Sequence, residues 1–468
     1  MTGALDEVDA MTRGRAYLAS LAGRRVAVVG LARSGIAAAR LLRAAGAEVV
    51  GADTKPLDAL GREVAALRDA GVHLVVGGPP DAALDGAELI VVSPGVPVDD
   101  GPVAAARARG VPVIGELELG WRAMEAETIA ITGTNGKTTT TALVGALLRE
   151  QARPVLVGGN IGTPLTAHAA GFPADGIVVA EVSSFQLETI ETFRPRVAAV
   201  LNLTPDHLDR HGTFTRYADA KARIFVNQTE ADCAVLNADD DAVRALASRT
   251  GARVVWFSRR RALEHGVFVR DGWIAARLNG HVEEISPVDE IRLRGQHNVE
   301  NVLAATACAL LTGLGSPAIR RGIGLFRAVA HRIELVRDLR GVHWFNDSKG
   351  TNVESTIKAL ESFTERVVLI AGGKGKGQDF GPLAAAARGR VAHAVLIGED
   401  GPKIGAALER AGVAVCTSPS MDAAVEAARA LARPGDVVLL SPACASFDMF
   451  DNYEHRGDVF KRLVERLE

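Results

Sequence analysis

The chain has 468 residues, 48% hydrophobic and 23% charged, which is the composition of a packed globular protein and, at about 150 residues per domain, of roughly three domains. With 53 basic against 56 acidic residues, a formal net charge of −3 and 4% aromatic content, nothing favours a nucleic-acid partner or an acidic membrane surface. Cys233, Cys308, Cys416 and Cys444 lie far apart with no CxxC pair, which excludes a disulfide scaffold and a closed cysteine zinc site and points to a reducing compartment.

The opening MTGALDEVDAMTRGR has no apolar core, so no secretory signal is read there. The longest apolar run, Val299–Leu314, carries Glu300 and is shorter than the roughly 20 residues that span a bilayer. A soluble cytoplasmic protein without membrane insertion is expected. Short apolar runs alternate with Ala-rich helical stretches, the pattern of parallel sheets with helical crossovers. No repeat and no low-complexity segment interrupts it.

The first block, 1–115, opens with RRVAVVGLARSG, a strand running into a turn at Gly30 and then a helix. AEVVGAD is a second strand ending at Asp53, and LIVVSPG ends in a turn at Ser93–Gly95. GLARSG with Asp53 resembles a dinucleotide fingerprint whose second glycine is Ala32. A uridine or other nucleotide diphosphate at this edge is favoured over NAD-linked redox chemistry.

The second block, 116–328, carries TIAIT followed by GTNGKTTT, a strand, a glycine turn and a helix start. Gly133 and Gly136 allow successive N–H groups to face an anion, and the helix beginning at Lys137 adds its positive end. Lys137 then reaches the β- and γ-phosphates and the Thr138 hydroxyl meets Mg²⁺. Ile131 occupies the place of the first glycine of GxxxxGK[ST], so the loop is a shorter relative of that motif.

IVVAEVSSFQLE ends a buried strand on Glu181, and VLNLTPDHLDRHG brings Asp206 and His207 to the next strand end. Hard oxygen donors there suit Mg²⁺ held against phosphates. His207 and His211 also stand at the four-residue spacing of a zinc pair, without a third ligand. Lys221, in the helical stretch YADAKARIF, reads by itself as a solvated lysine. The block closes with a helix from about Asn298 to Leu311. In the third block, 329–468, IELV and VHWFND read as a hairpin, and VVLIAGG, HAVLIG and VVLLSPA as buried strands meeting loops.

GTNGKTT, GGNIG at Gly158–Gly162, EVSSFQLE, DHLDRHG, GQHNVEN, HRIE, NDSKGTN and SPACASFDMFDNYEHRG, in this order, resemble the Mur ligase family of peptidoglycan synthesis from about Arg24 to the C-terminus. The resemblance implies an α/β protein of three domains: Rossmann-like at the N-terminus, P-loop-type and ATP-binding in the centre, Rossmann-like at the C-terminus. Within the family, GLARSG and the closing motif point to the branch that adds D-glutamate to UDP-N-acetylmuramoyl-L-alanine through an acyl phosphate. The diaminopimelate- or lysine-adding branch usually carries DNP[KR], which is absent. Folylpolyglutamate synthetase and a nucleotide-dependent switch are the other readings.

The family positions imply that Gly133, Thr134, Asn135, Gly136, Lys137, Thr138 and Thr139 hold the triphosphate, with Asn298 and Asn301 on the adenine side and Arg332 and Asp347 reaching the nucleotide from the C-terminal domain. Two Mg²⁺ sites draw on Thr138, Glu181, His207 and a carbamylated Lys221, and Lys137, His207 and Lys221 form the catalytic group. Ser34, Asp53, Thr54, Ser93, Gly95 and Asn160 face the UDP-muropeptide, and Lys349, Thr351, Lys376, Ser446 and Tyr453 face D-glutamate. Phe447 stands where a smaller aliphatic residue is usual, Tyr453 where phenylalanine is, and Arg33 where an apolar residue is. Small-molecule partners only, and a monomer, are expected.

Overall fold

The computed structural model describes residues 13–327, 329–375 and 377–468. It divides into two compact units, one running to Ile285 and taking in Leu303–Ile319, the other formed by Ser286–Val302 and Arg320–Glu468. Among the described residues no helix is long and apolar enough to cross a membrane.

The first unit contains two sheets. The N-terminal one comprises β1 (Arg25–Val29), β2 (Glu48–Asp53), β3 (His73–Val76), β4 (Leu89–Val92) and β5 (Val113–Gly115) in the order β3-β2-β1-β4-β5, all parallel. Runs such as LIVV are buried at every position because helices cover both faces of a parallel sheet. The strand order reverses between β1 and β4, so the loops after these strands open the crevice where α/β sheets bind ligands.

The second sheet follows the order β14-β13-β12-β11-β10-β9-β6-β8-β7. Its parallel core is β6 (Glu127–Thr132), β7 (Val155–Gly159), β8 (Ile177–Glu181), β9 (Val197–Val200), β10 (Cys233–Asn237) and β11 (Arg253–Ser258). The edge is extended by β12 (Gly266–Arg270), β13 (Trp273–Arg277) and β14 (Glu283–Pro287), with β12 and β13 antiparallel. The register pairs Ile131 with Glu181 on one side and Thr132 with Val200 on the other. Loops leaving β8, β6 and β9 are therefore neighbours.

The helix Glu116–Arg122 joins the two sheets and buries two acids. Glu116 Oε1 accepts from the Thr166 N–H at 2.9 Å and its hydroxyl at 2.7 Å. Glu118 accepts from the backbone N–H groups of Glu191, Thr192 and Phe193 and from Arg122. Burial drives the Glu116 carboxyl upward. Burial also pushes Glu118 upward, but the Thr192 bonds and the Arg122 guanidinium outweigh that and hold it below the usual range.

In the second unit a sheet is ordered β15-β16-β20-β17-β18-β19. Here β15 (Glu334–Leu339) and β16 (Val342–Asn346) form the expected antiparallel pair, and β17 (Val367–Gly372), β18 (Val391–Ile397), β19 (Ala414–Thr417) and β20 (Val437–Leu440) run parallel to β16. The loops after β16 and β20 are thus adjacent.

Candidate active site

At the N-terminal sheet, the β1 turn is built by its neighbours. Gly30 N–H donates to Ala52 O at 2.8 Å, Ser93 Oγ donates to Gly30 O at 2.7 Å, and Asp53 Oδ2 accepts from Leu31 N–H at 2.8 Å. Asp53 Oδ1 takes Lys55 N–H at 3.0 Å, so both carboxylate oxygens brace the loops. A Cβ on Gly35 would fall 1.8 Å from Gly30 O, which makes glycine obligatory where the helix Arg33–Ala44 leaves the turn. Ser34 is half-buried, Thr54 and Gly95 are exposed, and Ser93 is buried. The residues expected at the UDP edge therefore do share one rim, except Asn160, which belongs to the second sheet.

After β6, the chain turns through Gly133 at φ +150° and Gly136 at φ +84°, conformations open to glycine, and enters the helix Lys137–Leu148. Asn202, just past β9, clamps the turn: its Oδ1 accepts Asn135 N–H at 2.8 Å, its Nδ2 donates to Asn135 O at 3.0 Å, and its own carbonyl accepts Thr134 N–H at 2.9 Å. Thr134 Oγ1 also lies 3.0 Å from Tyr217 Oη. The N–H groups of a helix's first turn lack intrahelical partners and face an anion. Thr138 and Thr139 are buried at this end.

Lys137 Nζ folds over its own loop, donating to Gly133 O at 2.9 Å and Thr134 O at 2.8 Å. Lys221 is not the solvated lysine its sequence context suggests. It is 2% exposed on the helix Phe214–Ala222, with Nζ donating to Gly133 O at 2.9 Å and lying 4.7 Å from the centre of the Tyr217 ring. Burial, then the Lys137 charge, drives its pKa well below the ordinary lysine value, only partly opposed by Asp206 and Glu181.

Glu181 ends β8, buried at 1% exposure. Its Oε1 accepts from Asn160 Nδ2 at 2.7 Å, while Oε2 has no hydrogen-bond partner among the described residues. An unpartnered buried carboxylate oxygen is costly unless something cationic meets it. His207 begins a short helix at φ +50°, its Nε2 3.6 Å from Asp206 Oδ2. His211 points elsewhere, to Ser184 Oγ at 3.0 Å and Glu188 at 3.4 Å. The two imidazoles do not form the zinc pair their spacing permits, and no cluster of three or more His, Cys, Asp or Glu suited to a metal occurs among the described residues. A hydroxyl, an orphaned carboxylate oxygen and phosphate oxygens are the donor chemistry of Mg²⁺.

In the second unit, Asn298 and Asn301 are buried on the helix Gln296–Leu311 and bonded to each other, Asn301 Nδ2 to Asn298 Oδ1 at 2.9 Å. Asp347, just past β16, accepts from Ser441 Oγ at 2.7 Å, and burial pushes its carboxyl up to about 6 despite the nearby Arg332 charge. Arg332 Nε is buried with no hydrogen-bond partner among the described residues. Lys349 Nζ lies 5.1 Å from the centre of the Tyr453 ring. Ser348 and the Cys444–Ser446 loop are tied together by the buried Arg456, which donates to Ser348 O at 2.7 Å and Cys444 O at 3.1 Å. Ser446 is buried, Thr351 half-buried and Phe447 exposed. Lys376 lies outside the described residues.

Asn202, Tyr217 and Arg456 were not anticipated, and His211 was read only for its zinc-pair spacing with His207. Asn202 carried one legible signal, a polar residue directly after a buried strand beside the phosphate loop. The partners of the other three are remote in sequence.

Three family models cover most of the chain: a Mur ligase MurD-like N-terminal domain over residues 24–115, a Mur ligase middle domain over 131–309, and a Mur ligase glutamate ligase domain over 331–444. Among curated proteins, the chain is 48% identical over 445 residues to a UDP-N-acetylmuramoylalanine–D-glutamate ligase of Pelotomaculum thermopropionicum, covering 95% of this chain and 98% of that one. It is 49% identical over 446 residues to the protein of the same name from Acidobacterium capsulatum, covering 95% and 96%. Among solved structures, the UDP-N-acetylmuramate–alanine ligase MurC of Thermotoga maritima matches with a TM-score of 0.61 at 21% identity, over 94% of this chain and 99% of that one. A pseudomurein peptide ligase type C of Methanothermus fervidus matches with 0.60 at 18%, over 95% and 100%. These two share the fold. With all three domain models in order and near-full-length relatives at this identity, the chain belongs to the Mur ligase family.

Proposed function

We propose that this chain is an ATP-dependent ligase that joins D-glutamate to UDP-N-acetylmuramoyl-L-alanine during peptidoglycan precursor synthesis. The observation that carries it is the near-full-length identity to ligases of that name, and the phosphate loop beside Glu181 and Lys221 supplies the chemistry. Residues 1–115 bind the UDP-muropeptide, 116–328 bind ATP, and 329–468 bind the amino acid. The enzyme works as a monomer in the cytoplasm on small molecules alone.

The turn Gly133–Thr139 cradles the triphosphate, with Lys137 neutralising charge on the transferring phosphoryl group. Asn298 and Asn301 face adenine, and Arg332 and Asp347 the nucleotide. Ser34, Asp53, Thr54, Ser93, Gly95 and Asn160 take the muropeptide, and Lys349, Thr351, Lys376, Ser446 and Tyr453 take D-glutamate. Thr138 and the orphaned Oε2 of Glu181 hold one Mg²⁺, and His207 with a carbamylated Lys221 a second. Bound there, the metals would neutralise phosphate charge and orient it for in-line transfer.

Carbamylation draws support from the depressed pKa of Lys221. The free amine adds to CO₂, a C–N bond forms, one proton leaves, and a neutral buried amine becomes an anion. In catalysis the muropeptide carboxylate attacks the γ-phosphorus and ADP departs with the bonding pair. The D-glutamate amine then attacks the acyl carbon, a C–N bond forms, and phosphate leaves as the C–O bond breaks. Positioning supplies most of the acceleration in both steps.

An amino-acid panel offered with ATP, Mg²⁺ and UDP-MurNAc-L-Ala tests the reading by mass spectrometry of the amide. D-glutamate alone should be joined, with phosphate release requiring both acceptor and amino acid. Phosphate release independent of both would sink it.

A further inference from the structure

His211 occupies an unusual position for a residue with no assigned part in the reaction. It ends the short helix that His207 begins, its N–H donating to His207 O at 3.0 Å, and it is 6% exposed. Nε2 is 3.0 Å from the hydroxyl of the buried Ser184, and Nδ1 is 3.4 Å from Glu188 Oε1. The other Glu188 oxygen pairs with Arg210 at 3.0 Å. With Glu188 on Nδ1, the tautomer that satisfies both contacts carries its proton there and accepts the Ser184 hydroxyl on Nε2.

The ring also packs against two aromatic neighbours. It stacks on Phe185 at 5.5 Å and 21°, and Phe185 in turn meets His207 edge-on at 4.9 Å. It also meets Tyr217 edge-on at 5.4 Å, and Tyr217 reaches Thr134 of the phosphate loop and underlies Lys221. A single imidazole thus bridges the segment after Glu181, the ring beside His207 and the tyrosine beside Lys221. Removing one member of a satisfied buried network moves the others, because no water can replace it.

We infer that His211 is a positioning residue: bonded to Ser184 and Glu188, stacked on Phe185 and edge-on to Tyr217, it sets the spacing of Glu181, His207, Lys221 and the phosphate loop for phosphoryl transfer. The inference rests on the ligase reading for its kinetic consequence, though not for its nucleotide-binding consequence. A histidine that merely filled the core would affect folding and leave turnover per folded molecule unchanged.

The full chain is compared with His211→Phe, which keeps a flat ring and loses both hydrogen bonds, and His211→Gln, which keeps a hydrogen-bonding amide. The readouts are Tm, MgATP affinity by calorimetry, and kcat and KM for each substrate. Misplacement by about an ångström can cost a hundredfold, so His211→Phe should lose roughly 10- to 100-fold in kcat with KM for D-glutamate within about twofold. MgATP affinity should weaken, Tm should stay within about 4 °C, and His211→Gln should recover part of the lost kcat. A phenylalanine variant with kcat and MgATP affinity near wild type overturns the inference. So do Phe and Gln variants that lose activity equally and in step with Tm. If wild type forms no D-glutamyl product yet His211→Phe still loses MgATP affinity, the ligase reading fails and the role of His211 stands.

Discussion

The ammonium groups of Lys137 and Lys221 converge on one backbone oxygen, that of Gly133, each at 2.9 Å. Two cations sharing an acceptor in a desolvated pocket repel one another. The strain falls on the more buried partner, Lys221, whose amine is held neutral far more readily than a free lysine. Under the proposed ligase reading, this depressed basicity is what would prime Lys221 to react with CO₂.

Replacing Lys221 by alanine removes the amine and leaves a cavity lined by Tyr217 and the phosphate loop. Amide formation should fall by at least about 100-fold, and small carboxylic acids such as acetate should restore part of it by standing in for the carbamate. Lys221→Arg fills the same space with a guanidinium that cannot form a carbamate and stays charged when buried. It should be inactive and should not respond to acetate. Product assays with and without added carboxylate decide between them, and full activity of Lys221→Ala without additives would remove the role.

Much of this site was legible because its determinants are local. A glycine turn between a buried strand and a helix can be read from eight residues, and Glu181 stood out as a charge ending a buried apolar run. The burial of Lys221 was not legible: its acceptor, Gly133, is 88 residues away, and nothing in YADAKARIF signals it. Glu116 and Glu118 look like surface acids in GELELGWR, yet their donors come from loops 50 to 75 residues downstream. The partner of His211 was hidden for the same reason, since Ser184 lies 27 residues upstream.

Glu181 presents a sharper test of the metal. Glu181→Gln keeps a carbonyl to accept from Asn160 and removes the charge on the oxygen that has no partner among the described residues. Removing an uncompensated buried group costs little stability, so Tm should hold or rise. If Glu181 holds Mg²⁺, the variant should need more Mg²⁺ for half-maximal rate and lose about 100-fold in kcat. Titrating Mg²⁺ at fixed ATP reads this, and an unchanged Mg²⁺ dependence would take Glu181 out of the metal site.

Asp347 links pH to stability with a definite sign. Its carboxyl titrates near 6 in the fold against an ordinary 3.8, so between these values the folded chain binds more protons than the unfolded one. Stability from this group is therefore fully present below about pH 4 and is lost as pH rises through 6. The difference is worth roughly 3 kcal/mol at full ionisation. Asp347→Asn should thus be more stable than wild type at pH 8 by about 1–3 kcal/mol and equal to it near pH 4, while losing ligase activity. Urea denaturation at the two pH values checks the sign.

The last prediction concerns the seam helix. Glu118 gathers three backbone N–H groups from Glu191–Phe193, the Thr192 hydroxyl and the Arg122 guanidinium with no exposed side-chain surface. Truncation to alanine strands those donors and leaves Arg122, among the described residues, with Glu191 as its acid partner. Breaking a buried charge network of this kind costs about 3–5 kcal/mol, so Glu118→Ala should unfold at markedly lower denaturant. Glu118→Gln keeps an acceptor for the backbone donors and should recover part of the loss. Because its carboxyl is held below the usual range, the wild-type contribution is present above about pH 4.5 and fades as pH falls further, so the gap between wild type and Glu118→Gln should narrow in acid. Equal denaturation midpoints for wild type and Glu118→Ala at pH 7 would show that the seam is held by apolar packing alone.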